Sequence, residues 1–315
     1  MGTTTATLGQ GTNDINMKRI IFSIYIDIPE ENLDETGYSK HARNNKHRGP
    51  RAAETKDKLN AFRNHLMWTQ KAYADHCDAD YKLFITDKRW FDYYSSIRKI
   101  HDKLPMYHIL NYYKHHLMYE LAQEGYDEVF YCDMDIIPVT KDSIFEVHDL
   151  SYFWSKNNNE LAEWGKHWDL TQYNTCDRNP ATKYWNTYAL LLQEGYEPEN
   201  NVINTGTMIA GKDAILEVNW PKEFPIMVEK LKKLQDDKDT MFPEALHSRF
   251  AYDNETMFSY LIQSKKFKYK SLTDEWHGRM PDEGPDPSHK IIHAINKKFQ
   301  FIWPDVEYEG RIFEE

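Results

Sequence analysis

The chain carries, before its midpoint, the stretch Glu128-Val-Phe-Tyr-Cys-Asp133-Met-Asp135-Ile-Ile-Pro138. It begins with β-branched and aromatic residues, which are typical of a buried parallel strand, and continues into two carboxylates one residue apart. Open α/β sheets bind their ligands at the C-terminal ends of parallel strands. Because alternate residues of an extended strand face the same side, we expect Asp133 and Asp135 to converge on one point.

A pair of carboxylates at this spacing suits a divalent cation. Mg²⁺ or Mn²⁺ that carries a diphosphate is usually held by one or two carboxylates together with phosphate oxygens. The alternative interpretation is a strand followed by an acidic turn that binds nothing. The rest of the sequence has to distinguish the two.

Composition excludes several classes of protein. The 315 residues include 50 acidic and 39 basic ones, for a formal net charge of -11, which disfavours a surface that binds duplex nucleic acid. The three cysteines, Cys77, Cys132 and Cys176, are too few and too scattered for a disulfide framework or a zinc site. No segment approaches the roughly 18 apolar residues of a membrane span, so we expect a soluble, cytoplasmic protein.

The sequence also predicts the limits of the domain. Residues 1–16 are rich in Gly, Thr and Asn without periodicity, and we interpret them as a disordered leader or an expression remnant. We expect residues 17–315 to form a single domain, because that length is sufficient for one large α/β core.

Periodicity predicts a β-α-β unit at the start of this domain. The apolar run from Arg19 to Asp27 indicates an interior parallel strand, and Tyr81 to Thr86 indicates a second one. Apolar residues recur at helical spacing between them, which supplies the crossover helix. A further helix is predicted between Pro105 and Gly125, directly before the strand with the two carboxylates.

Aromatic residues are concentrated between Ser151 and Tyr196. They include Trp154, Trp164, Trp168, Tyr173, Tyr184 and Trp185. Aromatic rings with scattered polar groups are typical of a sugar-binding cleft, because sugars stack their apolar faces and bind through their hydroxyls. Burial in the core explains most of these rings equally well, and both interpretations stay open.

Polar residues recur in three later segments. A buried strand is predicted over Asn201 to Ala210, with a glycine that permits close backbone approach. The triplet Asp253-Asn254-Glu255 opens a helix, where acids either cap the helix or take part in a site. His293 follows a short apolar strand and precedes two lysines, which makes it a candidate ligand for a metal that carries a diphosphate.

Taken in order, these motifs resemble the GT-A glycosyltransferases, most closely family 8, which includes glycogenin and bacterial galactosyltransferases. The resemblance runs from about Arg19 to Trp303. Its motifs are the Tyr-x-Asp-x-Asp of Tyr131 to Asp135, the Asn-Thr-Gly-Thr from Asn204, the Asp-Asn-Glu from Asp253 and the His-x-x-Asn-x-Lys from His293. It implies an α/β GT-A (Rossmann-like) fold, with a mixed, mainly parallel central sheet flanked by helices.

The resemblance also implies roles for individual residues. The metal ligands are Asp133, Asp135 and His293. The donor nucleotide sugar is bound by Tyr25, Asp27, Lys114, Asp133, Met134, Asn204, Gly206 and Lys298. Asp253 and Asn254 are the catalytic residues on the sugar side. Lys114 stands where the family has an arginine, Asn254 where it has a glutamine and Asn296 where it has a glycine.

The activity implied by the resemblance is a metal-dependent, retaining transfer of a sugar from a nucleotide diphosphate to a hydroxyl. The cofactor is Mn²⁺ or Mg²⁺, a UDP-sugar is the favoured donor by analogy, and a glycan or another hydroxyl compound is the acceptor. Two alternatives stay open. A nucleotidyl- or phosphotransferase uses a similar acid pair, although the sequence lacks the Gly-x-x-x-x-Gly-Lys loop of the usual versions. A non-catalytic carbohydrate-binding protein on a transferase fold is the other.

Overall fold

The computed structural model describes residues 17–29, 31, 48–158, 180–199, 201–236, 241, 242, 247, 250 and 252–306. The predicted leader over residues 1–16 lies outside them, as do Trp164, Trp168 and Tyr173 of the aromatic region. The side chains of residues 48–52 and 180–185 are also outside the description, which includes Tyr184 and Trp185. Nothing described tests the prediction of a single domain, which stays a prediction.

A six-stranded mixed sheet forms the centre of the fold. Its strands are β1 (Arg19–Tyr25), β2 (Asp80–Ile85), β3 (Glu128–Cys132), β5 (Phe153–Asn157), β6 (Ile203–Gly211) and β7 (Tyr269–Ser271), in the spatial order β2-β1-β3-β6-β5-β7. The pairs β1-β2, β1-β3 and β5-β7 are parallel, whereas β6 runs antiparallel to both of its neighbours. The prediction of a mixed, mainly parallel sheet is confirmed.

Helices cover this sheet. They are α1 (Arg48–His76), α2 (Lys88–Ile100), α3 (Met106–Gln123), α4 (Ile144–Val147), α5 (Pro180–Gln193), α6 (Lys212–Val218), α7 (Trp220–Asp236) and α8 (Asn254–Lys265). The predicted β-α-β unit is β1, α1 and β2. The predicted end of α3 is also confirmed, because Gly125 follows it with a φ of 98°, a conformation that glycine adopts without steric cost.

The largest core cluster lies between the sheet and the helices α2, α3, α7 and α8. Phe22 of β1, Tyr112 of α3, Phe224 of α7 and Phe258 of α8 are among its fully buried side chains. Residues from Asn254 to Ser264 of α8 are all buried, which explains why this helix lacks a polar face. No helix in the described part of the chain is long and apolar enough to cross a membrane.

A second, three-stranded sheet was not expected from the sequence. It consists of β4 (Ile136–Pro138), β9 (Ile291–His293) and β8 (Gly278–Arg279), in the order β4-β9-β8. The strand β4 is antiparallel to β9, with Ile136 opposite His293. The residues after Asp135 therefore belong to a different sheet from those before Asp133.

Asp133 and Asp135 converge as predicted, but they are not alternate residues of an extended strand. The strand β3 ends at Cys132, and Asp133, Met134 and Asp135 form a turn between β3 and β4. The turn is closed by a hydrogen bond from the Ile136 amide to the Asp133 carbonyl at 2.9 Å. A tight turn and not a period of two brings the carboxylates together.

Candidate active site

The turn that carries the two carboxylates is held by a glutamine. Gln70 of α1 is fully buried and donates from Nε2 to the Asp133 carbonyl at 3.1 Å and to the Ile136 carbonyl at 2.9 Å. The hydroxyl of Ser23 in β1 donates to Gln70 Oε1 at 2.7 Å and so fixes the amide orientation. Because these partners are buried, the turn has one well-defined shape.

The third candidate ligand reaches the turn from the small sheet. His293 ends β9, and its Nε2 atom lies 3.3 Å from Asp135 Oδ2. The Ala294 amide donates to the Asp135 carbonyl at 2.9 Å, which ties β9 to the turn. One potential ligand atom each from Asp133, Asp135 and His293 lies within 4.8 Å of the others. The structure thus brings together the three residues that the sequence proposes as metal ligands.

Gly206 of β6 keeps the space beside these groups open. Its carbonyl accepts from the Asp133 amide at 2.8 Å, and its own amide donates to Asn204 Oδ1 at 2.9 Å. A Cβ atom at this position would lie 3.0 Å from Asn204 Oδ1, from Asp133 Oδ2 and from His293 Cε1. Any side chain would therefore press on two of the candidate ligands, which is a physical reason for glycine here.

Lys114 places a positive charge beside Asp133. Its side chain is 4% exposed, and Nζ lies 3.2 Å from Asp133 Oδ1 and 3.1 Å from the Thr205 carbonyl. The hydroxyl of Tyr131 also donates to Asp133 Oδ1. Burial, followed by the charge of Asp133, raises the pKa of Tyr131, so the phenol stays protonated and can keep this hydrogen bond.

Lys297 places a second positive charge beside Asp135, and its Nζ atom contacts Asp135 Oδ2. Burial alone would raise the pKa of Asp135, but the charges and hydrogen bonds of Lys297 and His293 hold it well below its usual range. Lys298, the lysine chosen from the sequence, pairs instead with the exposed Asp282 at 3.0 Å. Lys297 adopts a left-handed backbone with a φ of 53°. The side chains of Lys297 and Lys298 point in different directions, one to Asp135 and the other to Asp282.

Asp253 and Asn254 lie at the start of α8. Asp253 is the N-cap and accepts from the amides of Glu255 at 2.9 Å and Thr256 at 3.4 Å. Asn254 is buried and donates from Nδ2 to Thr205 Oγ1 at 2.6 Å. Since the carbonyl of Thr205 accepts from Lys114, and Lys114 pairs with Asp133, Asn254 is connected to the acid pair through Thr205 and Lys114. Asp253 thus caps the helix α8, and a role in binding the donor sugar stays a prediction.

Three further residues predicted to bind the donor nucleotide, Tyr25, Asp27 and Met134, lie in different surroundings. Tyr25 and Met134 are buried in the same hydrophobic cluster, beside the turn. Tyr25 also donates from its hydroxyl to Asn60 Oδ1 of α1. Asp27 is more exposed and pairs with Lys56 Nζ of α1 at 2.6 Å. The Asp27 amide donates to Thr86 Oγ1 at 2.8 Å, and none of the described partners of Asp27 is a candidate metal ligand.

The donor set fits a divalent cation. Two carboxylates supply hard oxygens and one imidazole supplies a borderline nitrogen, a combination suited to Mn²⁺ and acceptable to Mg²⁺. Without a cation, the formal charges of Asp133 and Asp135 are balanced by Lys114 and Lys297. An anionic diphosphate that binds here together with a cation would therefore meet two fixed ammonium groups.

Sequence reasoning missed several residues of this site. Gln70 could have been found from the sequence, because it lies four residues after Leu66, on the face of α1 that packs inward. A polar residue on a buried helix face needs hydrogen-bond partners in the interior. Lys297 is one of the two lysines named after His293, but the spacing of the family motif favours its neighbour Lys298. Tyr131 and Thr205 belong to motifs of the resemblance, but the motifs assign them no role, because their polar contacts depend on neighbouring elements.

Several solved glycosyltransferase structures match most of this chain at low sequence identity. A glycosyltransferase involved in the glycosylation of the major capsid of PBCV-1 has 10% identity and a TM-score of 0.37, over 91% of this chain and 99% of that one. Mouse xyloside xylosyltransferase 1 has 12% identity and a TM-score of 0.43, over 88% and 98%. Galactosyltransferase LgtC, in complex with donor and acceptor sugar analogs, has 12% identity and a TM-score of 0.37, over 87% and 86%.

No protein-family model matches the chain, and no curated protein sequence does.

Proposed function

We propose that this protein is a metal-dependent glycosyltransferase of the GT-A type that moves a sugar from a nucleotide diphosphate to an acceptor hydroxyl. The observation that carries the proposal is the convergence of Asp133, Asp135 and His293, within 4.8 Å of one another, beside the buried Lys114. A carboxylate pair, an imidazole and a buried ammonium in one cluster suit an ion and a diphosphate.

The role proposed for the metal ligands and the lysines follows from the charge of the departing diphosphate. Cleavage of the bond between sugar and phosphate builds negative charge on the leaving oxygen. Asp133, Asp135 and His293 would hold the divalent cation, which would supply positive charge to neutralise that oxygen. Lys114, fixed by Asp133 and Thr205, contributes a positive charge that needs no reorganisation. Lys297, which contacts Asp135, contributes a second one.

On the sugar side we assign Asp253 and Asn254. The anomeric carbon develops cationic character as the bond breaks, so a nearby carboxylate or amide oxygen lowers the barrier. Asn254 donates to the Thr205 hydroxyl, and Lys114 donates to the Thr205 carbonyl. The residue assigned to the sugar and the residue assigned to the diphosphate are therefore both positioned by Thr205. Retention of the anomeric configuration is proposed by resemblance to family 8.

The substrates are proposed by class. The donor is a nucleotide sugar, with UDP as the favoured nucleotide, bound by Asn204 and Gly206 as well as by the lysines. The acceptor is a glycan or another hydroxyl compound. A single domain over residues 17–315 and a cytoplasmic location remain part of the proposal.

Incubation with a panel of nucleotide sugars and Mn²⁺ tests this function. We expect slow hydrolysis of one donor even without acceptor, because water replaces the acceptor hydroxyl, and we expect EDTA to abolish it. Transfer of a nucleotidyl or phosphoryl group would identify the alternative enzyme class. Donor binding without turnover, over a panel that includes acceptors, would indicate a carbohydrate-binding protein.

A further inference from the structure

His277 lies directly behind the candidate metal ligand His293. It precedes β8, which pairs with β9, and only 4% of its surface is exposed. Its Nε2 atom lies 3.0 Å from His293 Nδ1, and the two rings are nearly perpendicular at 88°. The other nitrogen of His293 faces Asp135. The two histidines and the carboxylate thus form a chain from the interior to the site.

The hydrogen bond between the two rings links their tautomers. One nitrogen of the pair must carry the shared proton and the other must accept it. If His277 donates, a neutral His293 carries its own proton on Nε2 and points it at Asp135. If His293 donates from Nδ1, its Nε2 lone pair faces the carboxylates and is available as a ligand. Only the second arrangement permits His293 to bind a cation.

His277 is placed to accept a hydrogen bond from His293. It is buried, and its Nε2 atom faces the Nδ1 atom of His293. Its Nδ1 atom is buried and has no hydrogen-bond partner among the described residues. A buried polar atom without a partner destabilises the folded state, so packing alone would favour an apolar residue here. Stability therefore does not explain a histidine at position 277.

We propose that His277 is a positioning residue for the metal site, which accepts the Nδ1 proton of His293 and thereby keeps His293 Nε2 free to bind the cation. Metal-binding histidines commonly donate their second nitrogen to a carboxylate or a carbonyl, and here a neutral imidazole takes that place. The inference rests on the proposed function only in requiring the divalent-cation site, and its test needs no sugar donor.

Two substitutions of similar size distinguish positioning from packing. His277→Gln places an amide oxygen near the former Nε2 atom and can still accept from His293. His277→Met fills the same space without an acceptor and removes the buried, unpartnered nitrogen. We expect the melting temperature of the methionine variant to be equal to or above that of the wild type, because that nitrogen no longer has to be buried.

Titration with Mn²⁺ alone, followed by the electron paramagnetic resonance signal of the free ion, measures the effect. We expect His277→Met to weaken Mn²⁺ binding by about 10- to 100-fold, and His277→Gln to stay within about threefold of the wild type. His289→Met serves as the control, because His289 also has a buried, unpartnered Nδ1 but packs against Gly278 and does not contact His293. Its Mn²⁺ affinity should be unchanged.

The outcomes separate this inference from the proposed function. Wild-type protein that fails to bind Mn²⁺ would remove both. Wild-type affinity in His277→Met, or equal losses in the Met and Gln variants, would overturn the positioning role and leave the metal site intact. A second readout needs no variant. Long-range ¹H–¹⁵N correlation spectra of Mg²⁺-saturated wild type should show His293 protonated on Nδ1, and a proton on Nε2 would refute the inference.

Discussion

The Nζ atom of Lys114 lies 3.2 Å from Asp133 Oδ1, although the lysine side chain is only 4% exposed. A buried ammonium is costly unless it is paired and hydrogen-bonded, and here the Thr205 carbonyl supplies the second acceptor. The side chain thus has a fixed position before any ligand arrives. A preorganised charge of this kind is what the binding of a diphosphate requires.

Replacement of this lysine should weaken diphosphate binding. Lys114→Met removes a charge-assisted contact, so we expect the affinity for a nucleoside diphosphate with Mn²⁺ to fall by about 10- to 100-fold. Calorimetry measures the change. Lys88→Met is the control, because Lys88 is exposed and pairs with Asp92 on α2. An equal loss in both variants would indicate a general effect of net charge and would contradict a specific role for Lys114.

Asp135→Asn should nearly abolish transfer while the fold persists. The change removes the charge of a candidate ligand and leaves a side chain of the same shape, so we expect a loss of about a hundredfold or more in kcat. Thermal melting checks the fold, and donor hydrolysis checks the rate. Asp282→Asn, which alters an exposed acid beside Lys298, should keep wild-type activity. Near-normal activity of Asp135→Asn would remove the metal site from the mechanism.

The two adjacent lysines should respond differently to substitution. Lys297→Met removes the ammonium that contacts Asp135, so we expect Mn²⁺ alone to bind more tightly and the nucleoside diphosphate to bind less tightly. Lys298→Met removes a contact with the exposed Asp282, and both affinities should stay close to those of the wild type. Separate calorimetric titrations of the two ligands measure this. The reverse pattern would restore Lys298 as the phosphate contact.

Asp253 can be tested without loss of its helix cap. Asparagine caps a helix about as well as aspartate, so Asp253→Asn should keep the melting temperature, whereas Asp253→Ala should cost about 1 kcal/mol of stability. If the carboxylate faces the developing cation, both variants should lose turnover, by about tenfold or more, with little change in nucleotide affinity. Full turnover in Asp253→Asn would return the residue to a capping role alone.

His115 should make the protein less stable in mild acid. Burial, followed by the charge of Lys114, lowers its pKa well below 6.5, so the folded state leaves the ring neutral while the unfolded chain takes up a proton below that pH. The unfolded state then binds more protons, and the free energy of unfolding falls as pH drops, by at most about 1.4 kcal/mol per unit.

Urea unfolding at pH 7, 6 and 5 measures this dependence. The ring of His115 stacks on that of Trp220, with 4.1 Å between the ring centroids. His115→Phe keeps an aromatic ring there and removes the titrating group. We expect a shallower loss of stability below pH 6.5 in the variant. Identical slopes in the two proteins would show that His115 is not the group responsible.

The amino-acid order by itself determined the strands with continuous apolar runs, the crossover helix α1 and the end of α3. These features depend on neighbouring residues, since burial on both faces needs an unbroken apolar strand and a left-handed helix end favours glycine. The candidate metal ligands were also named from the sequence, from two carboxylates in one short segment and from the place of His293 in the motif order of the resemblance.

Only the tertiary structure decided how these groups meet. The turn at Asp133 depends on Gln70, more than sixty residues earlier, and the small sheet that delivers His293 depends on the pairing of Ile136 with β9. The choice between Lys297 and Lys298 depends on a left-handed backbone at one non-glycine residue. Hydrogen bonds and strand pairs between distant segments carry no local periodicity, so the positions of these side chains appear only once the chain has folded.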